Sequence, residues 1–436
     1  MTKSKTETLS YEEAVRWIYD LSKGERSNMR LGLQSVTELC KRVGDPQDTF
    51  SSVHITGTNG KGSVAHMVES VLRAKGHTTG LYVSPHLQSF CERIQVKGEL
   101  ISEKAIAALA QELHPHVEAM GFSPSFFDVT TTLAFMHFRD AKVDKAVVEV
   151  GLGGRLDSTN ILRRVEVCVI TSAGLDHTDV LGKDVLSIAR EKAAIAKKFA
   201  IMVVGNVPSE TFPIIVEIAH EKGIETVRKA ATVEILEAGL DGLKIKLKGD
   251  LAEYDVRLPL IGEHQAQNAA VAVAALENIT DPPSKSDIEK GLSTVEVPGR
   301  LEIVNKGPVV LLDGAHNPPA GQVLAKALLD LYKEKRVVLV VGMMTDKDVS
   351  GFIEALSPAT SAIIATKANS PRALPPEEIL KAAQGKCGWL YSASTVKEAL
   401  ELAMDKAGKD GVVVATGSFY VVGEARQMFL PFKRGI

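Results

Sequence analysis

The run Val53-His54-Ile55-Thr56-Gly57-Thr58-Asn59-Gly60-Lys61-Gly62-Ser63 leads directly into VAHMVESVLRAKG, Val64 to Gly76. A β-branched apolar stretch passes through a loop with three glycines into helical spacing, so the segment reads as strand, glycine-rich loop, helix. A turn of this kind aims successive backbone N–H groups and the positive end of a helix at one point, where the charge of a polyphosphate is stabilised. Lys61 would add a point charge against the β and γ phosphates, and Ser63 could offer its hydroxyl to Mg²⁺. The strict pattern G-x-x-x-x-G-K-[ST] is not met. Ile55 stands where its first glycine belongs, and Gly62 separates Lys61 from Ser63. A glycine-rich turn that only caps a helix is the competing reading of the loop taken alone.

Outward from this segment, short apolar runs alternate with amphipathic stretches. TGLYV, KAVVEV, EVCVIT and AIMVVG follow VHIT along the first half. Fully apolar strands separated by helices are what a parallel sheet covered on both faces requires. The first half therefore reads as a P-loop-type, doubly wound, mostly parallel α/β domain. Residues 231–260 break the rhythm with period-two alternation around Leu240-Asp241-Gly242-Leu243, which suggests an antiparallel hairpin appended to the main sheet. An Ala-rich helix should begin near His264. After the breaker pair Pro298-Gly299 a new series starts, with GPVVLLDG, RVVLVVGM, SAIIAT and GVVVAT as strands. These fit a smaller, Rossmann-like α/β domain, and place the division at 1–298 and 299–436.

The 436 residues carry 51 Lys+Arg against 54 Asp+Glu, a net charge of −3, so no global basic footprint points to nucleic acid. The 45% hydrophobic content excludes wholesale disorder. Cys40, Cys91, Cys168 and Cys387 lie far apart, which argues against a disulfide framework or zinc ribbon. The start MTKSKTETLSYEEAVRW is polar where a signal peptide needs an apolar core, and no run of 18 apolar residues occurs. The expectation is a soluble, cytoplasmic, monomeric protein without nucleic-acid or membrane partners.

Three further clusters carry chemistry. Glu149 ends an apolar strand and precedes Val150-Gly151-Leu152-Gly153-Gly154. Ligands of open α/β sheets collect at the carboxyl ends of strands, so Glu149 should emerge beside the phosphate loop as a Mg²⁺ ligand. The next strand ends the same way, before Asp176-His177-Thr178-Asp179. A lone His is most often structural, but convergence of two strand ends with the loop makes His177 a candidate metal ligand or phosphate contact. Helical spacing puts Lys192 on one face with Ile188 and Ile195, aimed inward, and a salt bridge to Glu191 or another acid is its default explanation. In the second half, Asp313 at a strand end, with His316 three residues on, could accept from a ribose or base, and Arg300 could reach back to phosphates.

Taken together, GTNGKGS, YVSPHLQSFCERI, EVGLGGRLDSTN, LDHTDVLG, IAREKAAIAK, GEHQAQNAAVA, PGRLE and DGAHNP resemble, in content and order, the folylpolyglutamate synthase and dihydrofolate synthase family of the Mur ligase superfamily. The resemblance implies an ATP-dependent amide ligase. Thr58, Asn59, Gly60, Lys61, Gly62 and Ser63 would hold the ATP phosphates, with Asn268, Arg300, Asp313 and His316 completing the nucleotide site. Ser84, Glu149 and His177 would be Mg²⁺ ligands. Lys192 matches a carbamylated lysine that helps hold a second Mg²⁺, and a monovalent cation is a further candidate. Ser125, Phe126, Phe127 and Asp128, with Leu156, Asp157 and Ser158, match the pterin segment. Two aromatics suit stacking on a flat heterocycle, and an acid suits its amino edge.

This chain departs from the family at three places: Asp128 stands where many relatives have Glu, Arg30 opens the early Arg30-Leu31-Gly32-Leu33 motif in place of Asp, and Ala194 replaces a glycine. The resemblance implies transfer of the ATP γ-phosphoryl group to a pterin carboxylate, with Lys61, His177 and Lys192 as catalytic groups, then attack by L-glutamate. Both dihydropteroate and a reduced folate are candidate acceptors. Competing readings are a ligase for another carboxylate, such as a peptidoglycan precursor, and an ATP-binding regulator without turnover.

Overall fold

The computed structural model describes residues 9–23, 32–333 and 335–432. Strands β1 (Ser51–Thr56), β2 (Thr79–Tyr82), β3 (Ile94–Val96), β4 (Glu99–Leu100), β5 (Lys145–Glu149), β6 (Val165–Ser172), β7 (Ile201–Asn206) and β8 (Thr226–Lys229) form one sheet in the order β4-β3-β2-β5-β1-β6-β7-β8. From β2 to β8 the pairs are parallel, and β3 and β4 add an antiparallel edge. Successive residues of the central strands point to opposite faces, and both faces are buried. Val53, Ile55, Val147, Val167 and Val169 pack with the helices Lys61–Lys75, His264–Leu276 and Lys285–Ser293. Ala146, Val148, Cys168 and Ile170 pack on the other side with Gln34–Arg42, Glu103–Glu118 and Phe126–Asp140. The doubly wound expectation holds, and the apolar runs are continuous because both faces need covering.

Residues 231–260 depart from the expectation of a hairpin on the main sheet. β9 (Thr232–Gly239), β10 (Gly242–Lys248) and β11 (Glu253–Leu258) form a separate three-stranded antiparallel sheet. Leu243, Ile245, Leu247, Tyr254, Val256 and Leu258 supply its single apolar face, which joins the helix-covered side of the first sheet. One apolar face permits packing onto a layer, whereas insertion within the doubly covered sheet would bury the alternate charged residues Lys244, Lys246 and Asp255.

A third sheet comes entirely from later residues: β12 (Glu302–Lys306), β13 (Val309–Leu312), β14 (Val337–Val341), β15 (Ala362–Ala365), β16 (Trp389–Ser392) and β17 (Val412–Thr416), in the order β12-β13-β17-β14-β15-β16. The four expected strands are its interior. Both edge strands escaped the sequence reading, since β12 and β16 are half-exposed and carry no continuous apolar run.

Helix Lys285–Ser293 approaches Lys61–Lys75 closely at Gly291, where a Cβ would overlap Val71 Cα, and Ser70 Oγ donates to Gly291 O at 2.8 Å. Gly291→Val must push these helices apart. It should cost about 1–3 kcal/mol and lower the thermal unfolding midpoint followed by circular dichroism. An unchanged midpoint would contradict this packing.

Candidate active site

Parallel register brings three strand ends close together. Ile55 lies opposite Glu149 and Thr56 opposite Ile170, so the loop after β1 emerges between the ends of β5 and β6. This is the switch point of the sheet, where connections leave in opposite directions and a crevice opens. The loop is fixed in place before any ligand is considered. Thr58 Oγ1 donates to Gly174 O and accepts from Gly174 N, both at 3.0 Å. Asn59 N donates to Ser172 Oγ at 2.9 Å, and Asn59 O accepts from Thr171 Oγ1 at 2.6 Å. Gly60 has φ +85° and begins the helix without a side-chain cap, and a Cβ there would clash with Asn268 Oδ1. The first N–H groups of the helix are thus left for an external acceptor, and Asn268 borders them.

Lys61 Nζ folds back onto the loop, donating to Gly57 O at 3.0 Å and Thr58 O at 3.2 Å. Burial pushes its ammonium down, while Glu149 and Asp176 pull it up and Arg300 and Lys347 oppose them. All four are in electrostatic reach of one lysine, which brings both halves of the chain to one cleft. Ser63 is buried in the first helical turn. Glu149 is buried and pushed up by desolvation, opposed by Lys61 and by Ser84 N, which donates to Oε2 at 3.0 Å. Glu149 Oε1 has no hydrogen-bond partner among the described residues.

His177 has φ +51°, and its Nε2 lies 3.3 Å from Lys347 Nζ. Lys192 is buried with Ile188 and Ile195, as its helical spacing predicts. The expected salt bridge to Glu191 does not form. Glu191 points elsewhere on the helix and accepts from Arg155 Nε at 2.8 Å. Lys192 has no ion pair among the described residues, and burial, reinforced by Lys61, pushes its amine down to about 7.

From the third sheet, Asp313 Oδ2 accepts from Leu301 N at 3.0 Å and Oδ1 from Ala315 N at 2.9 Å. Its carboxylate thereby organises the turn that presents Arg300, whose guanidinium lies 4.7 Å over the Phe419 ring. His316 Nδ1 donates to Gly314 O at 2.8 Å, and burial pushes this imidazole down to about 4.

The pterin segment is a local assembly. Ser125 caps the helix Phe126–Asp140 in a reciprocal box with Asp128, and Ser158 Oγ donates to Asp128 Oδ1 at 2.7 Å. Asp157 accepts from Leu152 N at 2.9 Å and Thr159 N at 3.0 Å. Both acids therefore spend hydrogen bonds on their own chain. Phe126 is buried, stacked on Tyr19 at 5.2 Å, whereas Phe127 and Leu156 are exposed, 38% and 36%. Of the two aromatics expected to stack on a ring, Phe127 alone presents an open face. The early Arg30-Leu31 motif lies outside the described residues.

Three residues that sequence reasoning did not place in the site complete it. Asp176 Oδ1 accepts from Lys347 Nζ at 2.9 Å, and Asp176 Oδ2 accepts from Asn317 Nδ2 at 2.9 Å, with His316 Nε2 at 3.8 Å. Burial alone would raise Asp176, but the positive charge around it, Lys347 included, holds it well below the usual carboxylate range. Asn317 also meets Asn59 through paired amides, 3.3 and 3.5 Å. Asp176 stood beside His177 in a segment already singled out. Lys347 in TDKD carries the signal of an ordinary solvated loop, so only tertiary structure reveals it.

Lys61, Lys192, Arg300 and Lys347 thus face Glu149 and Asp176, while burial pushes the neighbouring imidazoles of His66, His177, His264 and His316 toward neutrality. Lys61, Arg300 and Lys347 bring positive charge to the phosphate loop, so the cleft suits a polyanion. Among the described residues no group of three His, Cys, Asp or Glu could hold a metal by itself. The donor set still fits Mg²⁺, which keeps several waters and takes one or two carboxylates plus substrate phosphates. Glu149, with one free oxygen beside the loop, meets that requirement.

Lys192 yields a pH test. Its folded pKa lies below the unfolded value, so the unfolded chain binds the extra proton between about pH 7 and the ordinary lysine range. Stability should rise with pH through that window, and the penalty is full below it. Lys192→Met should raise the thermal midpoint at pH 6 and flatten this dependence. A midpoint lower than wild type at pH 6 would oppose it.

The Mur ligase middle domain model matches residues 55–276, and the Mur ligase, glutamate ligase domain model matches 299–419. The chain is 36% identical over 430 residues to a probable bifunctional folylpolyglutamate synthase/dihydropteroate synthase of Haloferax volcanii, covering 96% of this chain and 50% of that protein. The chain thus spans about half the length of that relative. Mycobacterium tuberculosis folylpolyglutamate synthase, solved with ADP and AMPPCP, superposes with a TM-score of 0.89 at 33% identity, covering 97% of this chain and 99% of that one. Bifunctional folylpolyglutamate synthase/dihydrofolate synthase of Yersinia pestis, solved with AMPPNP and Mn, gives 0.84 at 30% identity, over 97% and 99%. Two adjoining ligase models, near-complete structural overlap and the charged cleft between the first and third sheets agree: the chain belongs to the folylpolyglutamate synthase/dihydrofolate synthase family of Mur ligases.

Proposed function

We propose that the protein joins L-glutamate to the carboxylate of a pterin substrate, dihydropteroate or a reduced folate, at the expense of ATP. The observation that carries this reading is the preformed phosphate loop beside a buried carboxylate and the cations Lys61, Arg300 and Lys347. A carboxylate is a poor electrophile because its negative charge repels an amine. Transfer of the γ-phosphoryl group to a carboxylate oxygen releases ADP and leaves an acyl phosphate. The glutamate amine then attacks the acyl carbon, loses a proton, and inorganic phosphate departs.

The residues of this chain do mostly positioning and charge stabilisation, which is what phosphoryl transfer requires. Thr58 to Ser63 offer N–H groups to the phosphates, and Lys61 leaves Gly57 O and Thr58 O to meet them. Asn268, Arg300, Asp313 and His316 shape the nucleotide side, Asp313 by holding the turn. Phe127, with Leu156 and Ser158, borders the pterin, while Ser125, Phe126, Asp128 and Asp157 set their positions. Ser84, Glu149, His177 and a carbamylated Lys192 would hold Mg²⁺. When bound, Mg²⁺ neutralises charge that accumulates on the transferring phosphoryl oxygens. An amine near pKa 7 is substantially unprotonated at neutral pH, as attack on carbon dioxide demands. Residues 1–298 form the larger lobe, and 299–436 the lobe that excludes water from the acyl phosphate.

Phosphate release from ATP should require both L-glutamate and a pterin acid, with mass spectrometry showing a product extended by one glutamate. Release indifferent to both substrates refutes the ligase reading, and extension of a muramoyl nucleotide instead would reassign the acceptor. Lys61→Met should lower kcat by about 10²–10³, the scale of losing one charge-stabilising group. With ¹³C-labelled carbon dioxide, the wild type should show a carbamate resonance that Lys192→Met lacks.

A further inference from the structure

Several sets of contacts join the lobes, an exposed Lys326–Glu263 ion pair at 2.7 Å among them, and two of these sets adjoin the active site. One lies at the cleft, where Asn317 and Lys347 meet Asn59, Asp176 and His177. The other is built on one face of the helix Phe419–Phe429. A Cβ on Gly423 would overlap Leu87 O, so this helix lies directly on the loop that begins at Ser84. Arg426 Nη1 donates to Gln88 Oε1 at 2.6 Å, and Gln88 Nε2 donates to Gln427 Oε1 at 3.0 Å and Leu430 O at 2.9 Å. Arg426 Nε reaches both oxygens of Glu302, at 3.0 and 3.1 Å, and Glu302 Oε2 accepts Gly299 N at 2.8 Å.

Each end of this chain of bonds arrives at the active site. On one side, Glu92 gathers the N–H groups of Leu87, Gln88 and Ser89 at 2.7, 3.0 and 3.0 Å, which makes the loop rigid back toward Ser84 and its bond to Glu149. On the other, Gly299 precedes Arg300, and Gly299 O accepts Gly314 N at 2.9 Å. The Arg426 and Glu302 side chains are only 21% and 19% exposed. The single Nε–H is shared between the two carboxylate oxygens while Nη1 goes to Gln88, so one planar guanidinium ties both partners in fixed relative directions.

We propose that Arg426 is a positioning residue for the ligase reaction. Through Gln88 and Glu302 it holds the Ser84 loop and the Gly299–Arg300 crossover in one geometry, and so serves as the pivot between the lobes. The groups of the cleft-side contacts surround the phosphate loop and must reorganise when substrates arrive. The Arg426 contacts keep their partners throughout and set the direction in which the smaller lobe turns. The inference rests on the ligase reading only for its kinetic arm.

The test uses the full chain with Arg426→Gln, Gln88→Ala and Arg426→Lys. AMPPNP binding with Mg²⁺ is measured by calorimetry, alongside KM for ATP, kcat and the thermal midpoint. Arg426→Gln and Gln88→Ala should each weaken AMPPNP and raise KM for ATP about three- to tenfold, with kcat within about twofold of wild type. Arg426→Lys, which keeps the charge but not both partners, should fall between. A lower thermal midpoint with unchanged AMPPNP affinity in Gln88→Ala and Arg426→Gln would overturn the proposal, leaving Arg426 a purely structural residue. So would variants indistinguishable from wild type in every measurement. Calorimetry needs no turnover, so a wild type that binds AMPPNP yet never extends a pterin acid would refute the ligase reading without touching this one.

Discussion

The parallel register of β5, β1 and β6 sets Ile55 beside Glu149 and Thr56 beside Ile170, so β5 and β1 end within one residue of each other and β6 runs two residues further to Ser172. Backbone hydrogen bonds and two buried apolar faces hold that register, since a slip would disrupt the packing of both faces against their helices. From it follow the position of Glu149, the exit of the glycine-rich loop and the direction of the helix Lys61–Lys75. The bonds of Thr58 and Asn59 to β6 and the segment after it then hold the loop open. A loop with its ordering cost already met within the fold binds phosphate with less loss of entropy.

Sequence legibility follows burial. β1, β5, β6, β14 and β17 are buried on both faces, and their apolar runs stand out. β12 and β16, at the sheet edge, do not. Lys192 was placed inward by helical spacing, but its partner was misjudged because Glu191, its neighbour in sequence, lies about 100° around the helix. Asp128 and Asp157 looked like ligand-binding acids, and their capping bonds emerge only from local backbone geometry. The Asp176–Lys347 pair joins residues 171 positions apart, a separation at which no periodicity carries information.

The near-zero net charge of the chain conceals a strongly polarised cleft. Lys61 and Lys192 are buried beside each other's field, and each is pushed down by desolvation. Such a site is unfavourable on its own, and an anion relieves both repulsion and lost hydration. Part of the stability sacrificed at these lysines is therefore returned on binding, which couples folding strength to ligand occupancy.

The paired amides of Asn59 and Asn317 have a kinetic meaning. Each amide both donates and accepts, at 3.3 and 3.5 Å, without net charge. A neutral hydrogen bond of this length contributes little against competing water. The lobes therefore touch over the phosphate loop through a junction that separates easily, while the Lys347–Asp176 ion pair beside it, nearly buried, is shielded from dissolved salt. Opening at this point is therefore resisted by the buried ion pair and hardly by the amides, so the entry of water between Lys347 and Asp176 marks the moment at which the lobes part.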